Sequence, residues 1–180
     1  MTFHNAGVAN AAPIQDWRTP PRIFRPLLEE FAFGTDLFAD DENALLPNYF
    51  TARRSAFDFT GSSTAPAFGN PEYAKGFIKR AVDWAIDAVR VRKQFPKIVL
   101  LVPLTVPVGW GGRVFRECEV QIYEGRIPFI KPRIDGKPKS GNNAGSMLVI
   151  INSAEDDFRG VSAIRSATTG LVTVDYREAT

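Results

Sequence analysis

Ile98-Val99-Leu100-Leu101-Val102 is an unbroken aliphatic run closed by Pro103. A strand with one face in water alternates apolar and polar side chains; a run with no polar position reads as a strand covered on both faces. It is far shorter than the roughly 20 apolar residues a membrane span needs. Cover on both faces calls for helices, and the chain offers two. Ala74–Lys93 repeats Phe77/Ile78, Ala81/Val82, Ala85/Ile86 and Ala88/Val89 about every fourth residue, with Lys79, Arg80, Asp83, Asp87 and Arg90 mostly elsewhere. Ile23–Phe33 follows Pro20-Pro21, a favoured way into a helix, and sets Ile23, Phe24, Leu27, Leu28 and Phe31 at helical spacing.

Further strands are expected at Phe33–Ala39, Ser55–Phe59, Cys118–Tyr123, Met147–Ile151 and Leu171–Tyr176, with a short segment at Ile127–Ile130. Ala44–Phe50 suits a short helix broken by Pro47, and Gly61–Pro66 is a loop by composition. Strands alternating with helices predict a single-domain α/β sandwich with a hairpin-like finish after Cys118. Residues 1–15 read as a flexible leader. Residues 153–180 read as a C-terminal extension packed on the same domain, where Ser166, Thr168, Thr169 and Gly170 suggest a turn between two short strands.

Composition narrows the chemistry. Cys118 is the one cysteine and His4 the one histidine. An internal disulfide, a cysteine-built metal site, a histidine triad and a multi-histidine zinc site are therefore not expected, and no metal is. General-base chemistry must use carboxylates or need no base. Met1–Asp16 lacks the basic and apolar regions of a secretory signal, so a cytoplasmic protein is expected. The formal charge of +2 does not by itself indicate nucleic acid, but basic residues cluster at Arg53-Arg54 and along the loop Lys131–Gly145, with Lys131, Arg133, Lys137 and Lys139. Those side chains suit phosphate contacts, and equally a solvated surface turn.

Two segments put polar groups where open α/β sheets bind ligands, beyond the carboxyl ends of strands. One is Asp36-Leu37-Phe38-Ala39. An acid there can hold ribose hydroxyls or an α-amino group, or serve only as a turn or helix N-cap residue. The other is Asn70-Pro71-Glu72-Tyr73, at the end of an apolar run and ahead of the long helix. An amide, a proline carbonyl and an aromatic ring in succession can accept hydrogen bonds from the exocyclic amine of a flat nucleobase while the ring stacks on its face. The same residues also suit a plain turn.

Trp17-Arg18-Thr19-Pro20, Phe33-Gly34-Thr35-Asp36-Leu37-Phe38-Ala39, Asp41-Glu42-Asn43-Ala44 with Tyr49-Phe50-Thr51, and Asn70-Pro71-Glu72-Tyr73 form an ordered set. Leu100-Leu101-Val102-Pro103, Trp110 and Gly125-Arg126-Ile127-Pro128-Phe129 continue it. In order and spacing the chain resembles the phage-type (Dam-like) DNA N6-adenine methyltransferases, across about Asp16–Asn152. The resemblance implies a Rossmann-like methyltransferase domain over residues 16–152, S-adenosylmethionine as methyl donor and adenine in DNA as acceptor. If phage-encoded, the protein would act in a bacterial host's cytoplasm. It assigns the target amine to Asn70 and Pro71 and base stacking to Tyr73. Asp36, Ala39 and Asn43 fall at the cofactor, and Trp17, Thr19 and Pro20 near its pocket. Adenine N6 is a weak nucleophile because its lone pair delocalises into the ring. Two acceptors drawing its hydrogens would favour a pyramidal nitrogen, so catalysis would be positioning plus electrostatics. A target in duplex DNA would be flipped out to reach the site.

The chain departs from the family pattern in three places. Glu72 stands where the family has a second proline, which loosens the loop and adds a negative charge. Ser55 stands where an aspartate for the cofactor's adenosine is expected, and Asp58, three residues on, is the candidate substitute. The C-terminal segment from Ala154 exceeds the family core. Two other readings follow: a methyltransferase-fold protein that binds DNA or a host factor without catalysis, and an amino-methyltransferase acting on cytosine N4. Oligomeric state and DNA recognition sequence are not encoded in any visible motif.

Overall fold

The computed structural model describes residues 17–74, 76–105, 109–130, 144–153 and 158–177. The order is helix α1 (Pro21–Phe31), strand β1 (Thr35–Asp36), a 3-10 turn (Ala56–Asp58), β2 (Ala67–Gly69), α2 (Phe77–Arg90), β3 (Lys97–Pro103), α3 (Trp110–Glu117), β4 (Glu119–Glu124), β5 (Ser146–Asn152), β6 (Gly160–Ser166) and β7 (Val172–Asp175). All seven strands join one sheet in the order β1-β2-β3-β5-β4-β6-β7. β1, β2 and β3 are parallel, β5 runs antiparallel between β3 and β4, β6 is parallel to β4, and β7 closes a hairpin with β6.

The apolar run of β3 is covered on both faces, as the sequence predicts. Ile98, Leu100 and Val102 join Val82, Ala85, Ala88 and Val89 of α2 and Val114 of α3 in one buried cluster. Val99 and Leu101 join Ile23, Phe24 and Leu27 of α1, with Phe33 and Phe68, in the other. The alternation of strand side chains thus splits one aliphatic run between two cores. The expected α/β sandwich is what forms.

Several elements differ from expectation, each for a local reason. Of Phe33–Ala39, only Thr35–Asp36 pairs as strand. Ser55–Phe59 is no strand: the Ser55 hydroxyl oxygen accepts from the Phe57 amide at 3.2 Å and starts the 3-10 turn. Ala44–Phe50 forms no helix. Its backbone pairs with the β1 region through Asp36 N to Asn48 O at 2.9 Å and Phe50 N to Asp36 O at 2.8 Å. Ile127–Ile130 contributes one bridge, Arg18 to Ile130. Helix α3 goes unread in the sequence because Gly111 and Gly112 weaken its pattern. Gly111 is needed there, since a Cβ would lie 2.5 Å from the Thr105 carbonyl oxygen. Arg113 fixes α3 through Glu117 at 2.9 Å and Asp83 of α2 at 2.7 Å.

Because β1 and β2 are parallel neighbours, their carboxyl ends, Asp36 and Gly69-Asn70, open on the same side of the sheet. Gly69 lets Phe38 approach: a Cβ would lie 2.8 Å from the Phe38 ring.

Candidate active site

A cavity of about 490 Å³ lies at these strand ends, within the roughly 300–1,000 Å³ range of small-ligand sites. Trp17, Thr19, Asp36, Ala39, Asn43, Asp58, Asn70, Pro71 and Tyr73 all line it. Residues separated by more than fifty positions in sequence therefore meet in one place. Pro20 is the exception: it is not among the lining residues, and its carbonyl instead accepts from the amides of Ile23 and Phe24 at the start of α1.

Asn70 stands directly after β2. Its Nδ2 donates to the Trp17 carbonyl at 3.0 Å and to the Thr19 hydroxyl oxygen at 3.2 Å. A backbone carbonyl only accepts, so the contact with Trp17 fixes which end of the amide is nitrogen. Oδ1 is left buried with no hydrogen-bond partner. Buried oxygens are rarely left so, and one on a pocket-lining residue marks a place for a donor. Pro71 is buried and Glu72 is exposed, so Glu72 sits at the rim rather than in the amide's place. The Tyr73 ring lies edge-on to Phe129, centroids 6.2 Å apart. Burial pushes its hydroxyl well above the usual range, with the Ser146 hydroxyl pulling the other way. Tyr73 therefore stays protonated and offers a ring, not a base.

Asp36, buried at the end of β1, accepts from the amides of Leu45 at 3.2 Å and Phe38 at 3.4 Å. Burial raises its pKa to about 6, against the lowering effect of those two amides. It is thus both the turn-organising acid and a pocket-lining one. Asn43 lines the cavity as well, but its amide is committed to Asp40: Nδ2 donates to Asp40 Oδ2 at 3.0 Å and Oδ1 accepts from the Asp40 amide at 2.8 Å. Its part is to shape the turn. Asp58 is exposed on the 3-10 turn, while Ser55 caps that turn.

The sequence reading missed the aromatic wall. Phe38, Phe57 and Phe77 line the cavity with ring centroids 5.6–5.8 Å apart, and the Arg80 guanidinium lies 4.0 Å from the Phe57 centroid. The signal is faint in the sequence, since Phe38 and Phe57 fall in segments that read as strands and Phe77 in the helix's apolar stripe. Arg53 and Arg54 are absent from this cavity. They line an adjoining groove with Thr60, Ser62 and Thr64, and Ser55 and Asp58 border both. Lys131, Arg133, Lys137 and Lys139 lie outside the described residues.

A mixed seven-stranded sheet with helices on both faces and a cavity at its parallel strand ends is consistent with the fold of a methyltransferase. The family model for DNA N-6-adenine-methyltransferase (Dam) matches residues 10–170, and the chain belongs to that family. That span takes in β6 as well as the elements that build the cavity. No curated protein matches the chain.

Proposed function

We propose that this protein transfers a methyl group from S-adenosylmethionine to N6 of adenine in DNA. The observation that carries the reading is Asn70: a pinned amide whose oxygen is buried and unpartnered, at the carboxyl end of β2, in a cavity shared with Asp36.

The residues present fit the donor. It supplies an electrophilic methyl on a sulfonium and carries an ammonium group, and the cavity's lining holds four acids (Asp36, Asp40, Asp58, Glu72) against two cations (Arg18, Arg80). Arg18 is also paired with Glu42 at 3.2 Å. Asp36, with two amide donors and a raised pKa, suits a cationic partner, which would favour its ionised form. The Phe38–Phe57–Phe77 wall offers an apolar surface for a flat ring. Asn43 contributes by holding the Asp40 turn, and Ala39 and Trp17 by lining the cavity.

On the acceptor side, Asn70 Oδ1 and the Pro71 carbonyl would accept hydrogen bonds from the two amine N–H groups and hold the nitrogen pyramidal. After attack on the sulfonium methyl, which leaves the sulfur as a neutral thioether, the nitrogen gives up one proton to solvent. The Tyr73 ring, braced by Phe129, would stack on the flipped base. No histidine and no metal is required. Arg53 and Arg54, in the adjoining groove, would take phosphates of the same DNA strand, with Lys131, Arg133, Lys137 and Lys139 adding to the charge. Neither departure at the site blocks this reading, since Glu72 is exposed and Ser55 caps a turn.

The test is to incubate the protein with S-adenosylmethionine and DNA, digest to nucleosides and identify the methylated base. N6-methyladenine is expected. N4-methylcytosine alone would select the other amino base. No methylated base, together with no heat of cofactor binding, would select a binding protein without catalysis.

A further inference from the structure

The segment ahead of α1 does more than border the cavity. Thr19 is buried, at 4% exposure, and its hydroxyl oxygen takes one of the two Nδ2 contacts of Asn70. The Trp17 carbonyl takes the other. The segment is itself anchored. Arg18 and Ile130 exchange both backbone hydrogen bonds, amide to carbonyl at 2.9 and 3.0 Å. The Trp17 ring lies edge-on to Phe129 with centroids 6.4 Å apart, and Phe129 is the ring that braces Tyr73. These contacts close a circuit: Asn70 to Trp17 and Thr19, through the Arg18–Ile130 bridge to Phe129, and back to Tyr73. The tetrapeptide is held at both ends by two strands of chain that the sheet does not itself connect.

We propose that Thr19 is a positioning residue for the methyl acceptor, not a cofactor ligand: with the Trp17 carbonyl it fixes the Asn70 amide so that Oδ1 is the atom offered to the incoming amine. A free asparagine amide can turn over and exchange donor for acceptor. Turned over here, it would set Oδ1 against the Trp17 carbonyl oxygen and an NH2 toward the amine, which is the wrong polarity at both ends. The Trp17 carbonyl, which can only accept, excludes that state; the Thr19 hydroxyl adds the second contact that holds the amide in place. What Asn70 is positioned for rests on the reading of the site as a methyltransferase; that it is positioned does not.

Two measurements test the proposal. In the wild-type protein without ligands, the Asn70 side-chain amide protons, assigned through Asn70→Asp, are expected downfield of a free asparagine and protected from exchange. In Thr19→Val, which keeps the side chain's shape but removes the oxygen, one of the two should return toward the free value. In turnover, Thr19→Val is expected to lower kcat about tenfold, the loss of one hydrogen bond. The Kd for S-adenosylmethionine should move less than about twofold. Thr19→Ser, which restores the oxygen, should recover most of the rate and the proton shift. An Asn70 amide already at free values in the wild type would overturn the proposal, as would Thr19→Val weakening cofactor binding with kcat intact. Protected amide protons in a protein that transfers no methyl would uphold the positioning and overturn only the function assigned to the site.

Discussion

Asn70 and Asp36 are the residues on which the proposed chemistry rests, and each makes a separate demand. A carboxyl with a pKa raised from 3.8 to about 6 binds its proton more tightly in the folded than in the unfolded chain. Its contribution to stability is therefore greatest below about pH 4 and is lost as pH rises through about 6. A rise of that size corresponds to roughly 3 kcal/mol over that window. Denaturant titrations of the ligand-free protein from about pH 4 to about pH 7 should show this fall, and in Asp36→Asn the fall should be shallower by about that amount. A cationic ligand has the opposite slope, because it needs the ionised form. S-adenosylmethionine affinity should rise with pH across the same window in the wild type and stay flat in Asp36→Asn, as calorimetry at several pH values would read. At this scale much of the site was legible from sequence, because Asp36, Asn70 and Tyr73 are polar or aromatic residues at ends of apolar segments. The family resemblance places Pro20 and Asn43 near the cofactor, yet Pro20 lies outside the cavity lining and the Asn43 amide is committed within its own turn. Their real partners are the α1 amides and Asp40, contacts that residue type alone does not reveal.

Among the elements, the loop from β2 to α2 carries the question raised by Glu72. Proline at that position would stiffen the chain chiefly by restricting the unfolded state, an effect of ~0.4–1 kcal/mol. The loop here is already held by the Asn70 contacts at one end and the Tyr73–Phe129 packing at the other. Glu72→Pro is accordingly expected to change kcat by less than about threefold. A gain of a hundredfold or more would mean that Glu72 leaves the loop slack. Helices α1 and α2 and strand β3 were readable because their apolar periodicity is long and unbroken. The 3-10 turn and α3 were not, for opposite reasons. Ala56-Phe57-Asp58 looks like a strand fragment until Ser55 caps it, and Trp110–Glu117 carries two glycines, of which Gly111 serves a tertiary purpose, close approach to the Thr105 carbonyl.

Over the whole molecule, the sheet order sets β1 and β2 side by side at one edge, and this is what brings residues 17–19, 36–39, 55–58 and 70–73 to a common mouth. Sequence patterning predicts strands and helices but not that β5 inserts between β3 and β4, since strand order depends on packing between segments far apart in the chain. The groove beside the cavity extends the surface toward Arg53 and Arg54. If both side chains neutralise phosphates, Arg53→Gln with Arg54→Gln should weaken DNA binding similarly for all sequences. The slope of log affinity against log salt should become shallower by about 0.9 for each phosphate no longer neutralised. Binding titrations at several salt concentrations would read both effects, and an unchanged slope would put the DNA elsewhere on the surface.

The proposed methyl transfer depends on the Asn70 oxygen activating an adenine amine. Single-turnover transfer of tritiated methyl from S-adenosylmethionine to DNA decides the point, with wild type and Asn70→Ala compared at saturating cofactor. The expected result is label in N6-methyladenine for the wild type and a loss of at least about 100-fold in Asn70→Ala, the scale of removing one preorganised group at the reacting centre, with cofactor Kd nearly unchanged. Transfer by Asn70→Ala at a rate close to wild type would contradict it.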